Sequence, residues 1–270
     1  MKWGTIYGAG SAGVEFYDAF HAPGHVPAMK GDVDFYIRCA RRFGGPVLEL
    51  AAGTGRIALP VAQAGFSVTG IDISPGMVKV ARGKAALAER DGLSGGIRFL
   101  RGDMTRFSLR RKFRFIYLPF RSFQSLHTIA EQRACLACVR RHLAPGGRFV
   151  LNIFDPKLEY CVPGRSKVIS RYRKAVDRAT GNVCRLEVEE RHNDALRQIL
   201  TEKWHFVVRD RRGKLLREDD RWLSIRWTYR WEMAHLLELC GFDAEACYGG
   251  FHGEAPAYGR EQVWVAKKAR

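Results

Sequence analysis

The sequence predicts an α/β fold: a doubly wound sheet of seven strands with an antiparallel β insertion after the fifth strand. Apolar runs alternate with helix-like segments from Pro46 to about Phe154, which is the βαβ pattern of a parallel sheet. Four longer segments with period-two alternation follow and predict an antiparallel meander. A helix and two final strands then complete the first sheet.

Local signals place the elements in order. Helix 75–89 has Ser74 as its N-cap residue and Pro75 at its first position, and helix 231–240 ends before Gly241. In the sheet we predict strands 47–50, 66–71, 97–101, 113–118, 148–153, 244–248 and 262–266, with further helices at 56–63 and 129–143. In the meander we predict strands 167–177, 182–192, 197–209 and 214–227.

Composition excludes some classes of protein and leaves others open. The chain has 270 residues, no apolar run long enough to span a bilayer and no secretory signal, so we expect a cytoplasmic protein without a membrane partner. Seven cysteines do not form a disulfide framework, and the C-x-x-C at Cys135 and Cys138 lies in an apolar helical pattern, so no metal site is predicted.

The net charge of +17 is unusual. Such a surplus of positive charge favours anionic partners, including nucleic acid, phosphorylated metabolites and carboxylates. A solvated, arginine-rich surface, or a genome that favours arginine codons, would produce the same number without any binding role. Both interpretations stay open at this point.

Two glycine-rich stretches compete for a nucleotide. Gly8 to Gly13 formally match G-x-G-x-x-G, but no convincing strand precedes them, and Asp32 and Asp34 do not end a second strand. The second stretch, Glu49 to Gly55, runs from a buried strand through a tight glycine turn into a helix. Gly53 and Gly55 let a backbone approach a ligand closely.

Asp72 ends the strand that follows this second glycine turn, seventeen residues after Gly55. A carboxylate at this place can accept hydrogen bonds from both hydroxyl groups of a ribose. The turn and the carboxylate together predict a site for an adenosine-bearing cofactor.

Four motifs in order make the chain resemble the class I S-adenosylmethionine-dependent methyltransferases. They are E-x-A-x-G-T-G at 49–55, D-I-S-x-x-M at 72–77, G-D-M at 102–104 and L-x-P-G-G at 143–147. The resemblance covers roughly residues 34–154 and implies a Rossmann-like methyltransferase sheet with S-adenosyl-L-methionine as cofactor. Each motif alone is weak, but four in order and at this spacing are specific.

The resemblance also implies a role for each motif. Glu49 and the loop Ala51, Gly53, Thr54 and Gly55 would hold the methionine moiety, and Asp72 would bind the ribose. Ile73 and Met77 would flank the adenine, Asp103 would accept from its amino group, and the remaining cofactor contacts are assigned to Gly102, Met104 and Leu118.

The acceptor is expected beyond the fourth strand, because ligands of parallel sheets bind at the carboxyl ends of strands. Leu118-Pro119-Phe120 departs from the motif of enzymes that methylate nucleobase amines. The segment instead resembles sugar N-methyltransferases and glycine N-methyltransferases, in many of which a histidine stands where this chain has Ser125. His127 is the nearest alternative base, with an exposed helix-entry residue as the competing interpretation.

Tyr17 resembles a tyrosine of this subgroup that closes over the cofactor and borders the acceptor, although core packing of Phe16 and Tyr17 explains the pattern equally well. The catalytic candidates are therefore Tyr17, Arg121, Ser125 and His127. Further candidates for gripping an anionic acceptor are Arg171, Arg226, Tyr229 and Arg230, and carboxylate bases are offered by Glu187, Glu189 and Glu190.

The resulting hypothesis is a methyltransferase acting on a small molecule, with nitrogen or oxygen favoured over carbon, and with an acidic or phosphorylated acceptor as a further expectation. Its predicted parts are an N-terminal lid and helix (1–45), the cofactor-binding core (46–160), an antiparallel insertion over the acceptor pocket (161–228) and a C-terminal part completing the sheet (229–270). The alternatives are an RNA methyltransferase, disfavoured because no RNA-binding module is appended, and a non-catalytic nucleotide-binding module. A monomer and a homodimer are both compatible with the sequence.

Overall fold

The computed structural model describes residues 6–8, 10–22, 26–162, 164–167 and 173–269. The chain divides into two compact units. The larger unit comprises Ala28–Pro156 and Trp227–Arg270, and the smaller unit comprises the residues up to Pro27 together with Lys157–Arg226. The four-part division stays a prediction.

The described strands are β1 (Val47–Leu50), β2 (Val68–Asp72), β3 (Ile97–Arg101), β4 (Phe113–Leu118), β5 (Leu143–Phe154), β6 (Gly164–Lys167), β7 (Arg173–Val176), β8 (Val183–Asp194), β9 (Ile199–Arg209), β10 (Leu215–Arg226), β11 (Phe242–Tyr248) and β12 (Glu261–Lys268). The described helices are α1 (Ala12–Glu15), α2 (Tyr17–Phe20), α3 (Asp32–Phe43), α4 (Ala58–Gln63), α5 (Pro75–Arg90), α6 (Ile129–His142), α7 (Leu158–Cys161) and α8 (Arg230–Leu239). Short 3-10 turns occur at Pro27–Met29 and Ser122–Ser125.

The larger unit contains a seven-stranded sheet in the order β11-β12-β5-β4-β1-β2-β3. Strands β1 to β5 pair in parallel, and β12 runs antiparallel to both β5 and β11. All four residues of β1 are buried, as expected for a central strand covered on both faces. The predicted doubly wound, seven-stranded fold is confirmed.

Local sequence signals explain where the helices of this unit begin. The Ser74 side chain accepts a hydrogen bond from the backbone N–H of Met77, and Pro75 opens α5, as predicted. At α6, Thr128 and Glu131 form a capping box in which each side chain bonds the other residue's backbone. Cys135 and Cys138 lie in the apolar core of this unit, which confirms the helix-packing interpretation of the C-x-x-C.

The smaller unit contains an antiparallel sheet in the order β10-β9-β8-β6, and β7 also pairs with β8. Its core consists of alternate residues on one face of the sheet, among them Leu186, Phe206 and Val208, packed with Phe16 and Phe20. The predicted antiparallel insertion is therefore confirmed. Residues 168–172 of its first predicted strand lie outside the described residues.

The structure refines some predicted boundaries. Helix α4 begins at Ala58 rather than Arg56, because the glycine turn extends further than expected. Strand β5 begins at Leu143 rather than Arg148, and its pairing with β4 is irregular where Gly146 adopts a φ of +70°. In the described residues, no helix combines the length and the apolar character required to cross a membrane.

The first glycine-rich stretch has a local packing role. Ser11 caps α1 by accepting from the N–H of Val14, and it donates its own hydroxyl to the carbonyl of Ile6. A Cβ at Gly13 would lie 2.3 Å from that same carbonyl oxygen, so glycine is required there for close packing. Neither contact is that of a dinucleotide-binding loop.

Candidate functional site

The carboxyl ends of β1, β2, β3 and β4 meet at one edge of the sheet, where the predicted cofactor residues lie. The loop after β1 turns sharply: Ala51, Gly53 and Gly55 have φ values of +54°, +55° and +81°. A left-handed backbone is rare for alanine and is typical of sites held in place by their surroundings. At Gly55 a Cβ would also lie 2.7 Å from the ring of Phe99, so this glycine serves packing as well as the turn.

Asp72 joins this loop to the start of α5. Its two carboxylate oxygens accept hydrogen bonds from the backbone N–H groups of Gly53 and Ser74, each at 2.8 Å. Burial raises the pKa of Asp72, and these two hydrogen bonds oppose that rise. Each carboxylate oxygen has a further lone pair that can accept a hydrogen bond from a ligand.

Glu49 lies below the loop and is 2% exposed. The hydroxyl group of Tyr117, on the neighbouring strand β4, donates a hydrogen bond of 2.9 Å to its Oε2 atom. Burial raises the pKa of Glu49 from 4.5 to about 8, against the effects of Tyr117 and Arg56. A buried carboxyl of this kind would become ionised beside a cationic ligand group.

The G-D-M segment follows β3 at the same edge. The backbone N–H of Gly102 donates to the carbonyl of Asp72 at 2.9 Å, which ties the segment to β2. Oδ1 of Asp103 accepts from the N–H and the hydroxyl group of Thr105, and Oδ2 forms a 3.2 Å ion pair with Arg106. The carboxylate of Asp103 is thus oriented by its own turn.

The apolar candidates differ in exposure. Ile73 is 59% exposed, whereas Met77 is 2% exposed and Leu118 is fully buried in the core. Of these three side chains, Ile73 is therefore the one that offers its surface to an adenine. Met104 packs against the core cluster, and Thr54, within the loop after β1, is buried.

The loop after β4 contains two consecutive left-handed residues, Phe120 (φ +57°) and Arg121 (φ +61°). Asn152 accepts a hydrogen bond of 2.7 Å from the N–H of Phe120, and its amide donates to Glu261 at 2.8 Å. The guanidinium of Arg121 binds the same Glu261, with Nε at 3.0 Å, so its charge is neutralised within the protein. The role of Arg121 toward an acceptor stays a prediction.

Sequence reasoning missed Asn152 and Glu261 as partners in this loop. Both are buried polar residues, Asn152 on β5 and Glu261 at the start of β12, and buried polar groups require partners. Tyr36 joins them, because its hydroxyl lies 3.2 Å from Oδ1 of Asn152. The available signal was Asn152, a polar residue within an apolar run of β5, whereas Glu261 has polar neighbours and gave no such signal.

The remaining catalytic candidates occupy distinct local settings. Ser125 donates its hydroxyl to the carbonyl of Ser122 at 2.7 Å, and His127 is half-buried just before α6. Tyr17, in the smaller unit, is 8% exposed, with its ring centroid 4.2 Å from that of His21 and 5.8 Å from that of Tyr7. Their roles stay predictions.

The other candidates have partners within their own units. Arg226 donates to Gln198 at 3.0 Å, Arg230 lies over the ring of Trp231, and Tyr229 stands at the N-cap of α8. On β8, Glu189 forms a 2.8 Å ion pair with Lys203. The roles of Glu187, Glu189 and Glu190 as bases stay predictions. Arg171 lies outside the described residues.

Residues 47–147 match a family described as a methyltransferase domain. A demethylmenaquinone methyltransferase from Tropheryma whipplei is 29% identical over 157 residues, which are 52% of this chain and 59% of that protein. The chain therefore spans less than two thirds of the length of this curated relative.

Two solved structures are similar along nearly the whole chain. The CcbJ methyltransferase from Streptomyces caelestis superposes with a TM-score of 0.74 at 23% identity, covering 99% of both chains. The amino pentose methyltransferase CalS10 from Micromonospora echinaspora, solved with bound S-adenosylmethionine, gives 0.67 at 23% identity, covering 94% of this chain and 95% of that one. At this identity the two likenesses establish the fold.

The family match and the two structures support the prediction of an S-adenosylmethionine-dependent methyltransferase. The described chain has the class I S-adenosylmethionine-dependent methyltransferase fold.

Proposed function

We propose that this protein transfers a methyl group from S-adenosylmethionine to a small-molecule acceptor, at nitrogen or oxygen in preference to carbon. The observation that carries the proposal is the position of Asp72. Its carboxylate bridges the left-handed loop after β1 and the start of α5. It is also close enough to the buried Glu49 to affect the pKa of that residue.

The residues at this edge fit such a cofactor. Glu49, with a pKa raised to about 8 by burial, gains a favourable partner when an amino-acid ammonium group binds beside it. The left-handed backbone of the loop 51–55 lets the methionine moiety approach closely, and Asp72 accepts hydrogen bonds from ribose hydroxyls. Ile73 offers an apolar surface to the adenine, and the carboxylate of Asp103 accepts a hydrogen bond from its amino group.

The chemistry requires alignment more than acid–base assistance. When bound, S-adenosylmethionine supplies an electrophilic methyl group on its sulfonium. The protein's contribution is then to hold the acceptor atom in line with that group and to exclude water. The loop after β4 suits this task, because Asn152 and Glu261 fix its two left-handed residues from below.

The small-molecule acceptor is supported by the relatives. The similar CalS10 acts on an amino pentose, and the similar Tropheryma protein is named for a demethylmenaquinone. An amino sugar places a nucleophilic nitrogen on a small polar ring, and this makes nitrogen the first atom to test. An acidic or phosphorylated acceptor has weaker support, because Arg121 is already paired with Glu261.

The test is transfer of a labelled methyl group to metabolite extracts and to a panel of amino sugars, quinone precursors and RNA. We expect label in a small-molecule fraction for the wild type and for the matched control Asp91→Ala, which changes an exposed aspartate at the end of α5. Asp72→Ala should transfer none. Label confined to RNA, or no transfer to any acceptor, would contradict the proposal.

A further inference from the structure

A second cleft lies in the larger unit, away from the proposed cofactor site. Its volume is about 880 Å³, within the range of small-ligand sites. Its other lining residues are apolar or small, but five cationic side chains line it: Lys112, Arg133, Arg140, Arg141 and Lys268. Acidic side chains do not contribute to its lining among the described residues.

The cleft is at the opposite edge of the sheet from Asp72. Lys112 immediately precedes β4, and Arg140 and Arg141 lie in the last turn of α6, just before β5 begins. Lys268 ends β12, which runs antiparallel to β5 and so finishes beside the start of that strand. Asp72, in contrast, stands at the carboxyl end of β2, so one small ligand does not reach both sites.

The positive charges in the cleft are not neutralised within the described part of the chain. Arg141 donates to the carbonyl of Phe107 at 2.9 Å, and Lys112 donates to the carbonyl of Arg141, so both bind backbone groups rather than carboxylates. None of the five cations forms an ion pair with a carboxylate of the described residues. Burial and the nearby charges of Lys112 and Arg140 lower the pKa of Lys268.

Helix stabilisation explains only part of this arrangement. Arginines in the last turn interact favourably with the helix dipole, and this accounts for Arg140 and Arg141. It does not account for Arg133, about two turns earlier in α6, nor for Lys112 and Lys268 on other elements. In addition, a Cβ at Gly241 would lie 2.8 Å from Nε of Arg140, so glycine at this position leaves room for the guanidinium within the cleft.

We propose that this cleft is a binding site for a phosphate group, separate from methyl transfer. Convergence of three guanidinium and two ammonium groups in one concavity matches an anion with more than one negative charge. Guanidinium pairs with phosphate oxygens through two parallel hydrogen bonds, which gives geometric selectivity. The phosphate can belong to a free small molecule or to a nucleic-acid backbone, and the two sources are distinguished by experiment.

The test is calorimetric titration with pyrophosphate and, separately, with a short single-stranded RNA at low salt. We expect saturable binding by the wild type and affinity at least about tenfold lower in Arg133→Gln/Arg140→Gln, because two charge-assisted contacts are removed. The matched control, Arg41→Gln/Arg90→Gln, removes the same charge from exposed positions outside the cleft.

Binding of pyrophosphate identifies a free phosphate as sufficient, whereas binding of RNA alone assigns the site to a polynucleotide backbone. If the wild type bound neither pyrophosphate nor RNA, or if the control variant lost as much affinity as the cleft variant, the proposal would be overturned. The cleft variant should retain S-adenosylmethionine affinity and methyl transfer, so the outcome does not depend on the proposed function. Near-ultraviolet circular dichroism confirms that all variants are folded.

Discussion

The hydroxyl group of Tyr117 lies 2.9 Å from Oε2 of Glu49, and both groups are buried on adjacent strands of the sheet. This hydrogen bond gives one oxygen of the buried Glu49 carboxyl group a partner. It also joins the cofactor edge to the aromatic pair formed by Tyr117 and Tyr36, whose ring centroids are 4.7 Å apart. The stability of the fold and the ionisation of the site are therefore coupled at Glu49.

Replacing Tyr117 by phenylalanine should destabilise the protein by about 1–3 kcal/mol, the usual cost of leaving a buried polar group unsatisfied. The measurement is chemical denaturation at pH 7. Tyr258→Phe, at a position 64% exposed, provides the matched control and should change the free energy of unfolding little. Equal stability of Tyr117→Phe and the wild type would show that the hydrogen bond contributes nothing.

Glu49 predicts a specific dependence of stability on pH. Its pKa is about 8 in the folded protein against 4.5 ordinarily, so folding favours the protonated carboxyl. From about pH 4.5 to about 8 the unfolded chain releases this proton while the folded protein retains it, and the free energy of unfolding therefore decreases across that window. This contribution is fully present below pH 4.5 and fully lost above pH 8.

Glu49→Gln removes the titrating group and should flatten the dependence of stability on pH within this window. Its melting temperature relative to the wild type should thus rise as the pH increases from 5 to about 8. The same variant should bind S-adenosylmethionine more weakly, since it offers no negative charge to the ammonium group. If the difference in melting temperature between the wild type and Glu49→Gln stayed constant with pH, this result would contradict the raised pKa of Glu49.

The pair Arg121 and Glu261 is suited to a double-mutant cycle. Arg121→Gln leaves the buried Glu261 without its cation and should cost about 2 kcal/mol, reduced from the fully buried case because the arginine side chain is 36% exposed. Glu261→Gln in the same chain should recover much of that loss. Additive effects of the two substitutions, measured by chemical denaturation, would show that the pair does not couple.

Asn152 is expected to position the loop after β4. Asn152→Leu removes the acceptor for the N–H of Phe120, and we expect kcat for methyl transfer to fall by about tenfold while affinity for S-adenosylmethionine is retained. The conservative variant Asn152→Gln keeps both the acceptor oxygen and the amide that donates to Glu261, and it tests for rescue. A loss of cofactor affinity equal to the loss of kcat would indicate general disruption instead.

Much of this architecture could be predicted from the sequence because its signals are local. The buried run Val47–Leu50, the Ser74 cap and the glycine turn each specify a short piece of backbone, and their order specifies the parallel sheet. Asp72 follows in the same way, since the end of a strand fixes its place at the sheet edge.

The loop after β4 shows what local patterns do not contain. Arg121 and Glu261 are separated by 140 positions in the chain, and Asn152 on β5 bonds both Glu261 and the N–H of Phe120, the residue before Arg121. Such pairs arise only when distant strands are brought together, so a charged residue such as Arg121 could be recognised as chemically capable without its partner being known. Sequence patterns report only on neighbouring residues. They therefore also misplaced the start of β5, where pairing with β4 extends the strand beyond its apolar run.

The central claim is that Asp72 binds the ribose of S-adenosylmethionine, and calorimetric titration of this cofactor tests it most directly. We predict that Asp72→Ala loses measurable affinity for the cofactor. In Ile73→Ala, at the exposed apolar surface beside it, the affinity should fall by about tenfold with no loss of fold. The exposed Asp91→Ala should bind as the wild type does. If both site variants kept the wild-type affinity for S-adenosylmethionine, with circular dichroism unchanged, Asp72 would not be the residue that binds the ribose.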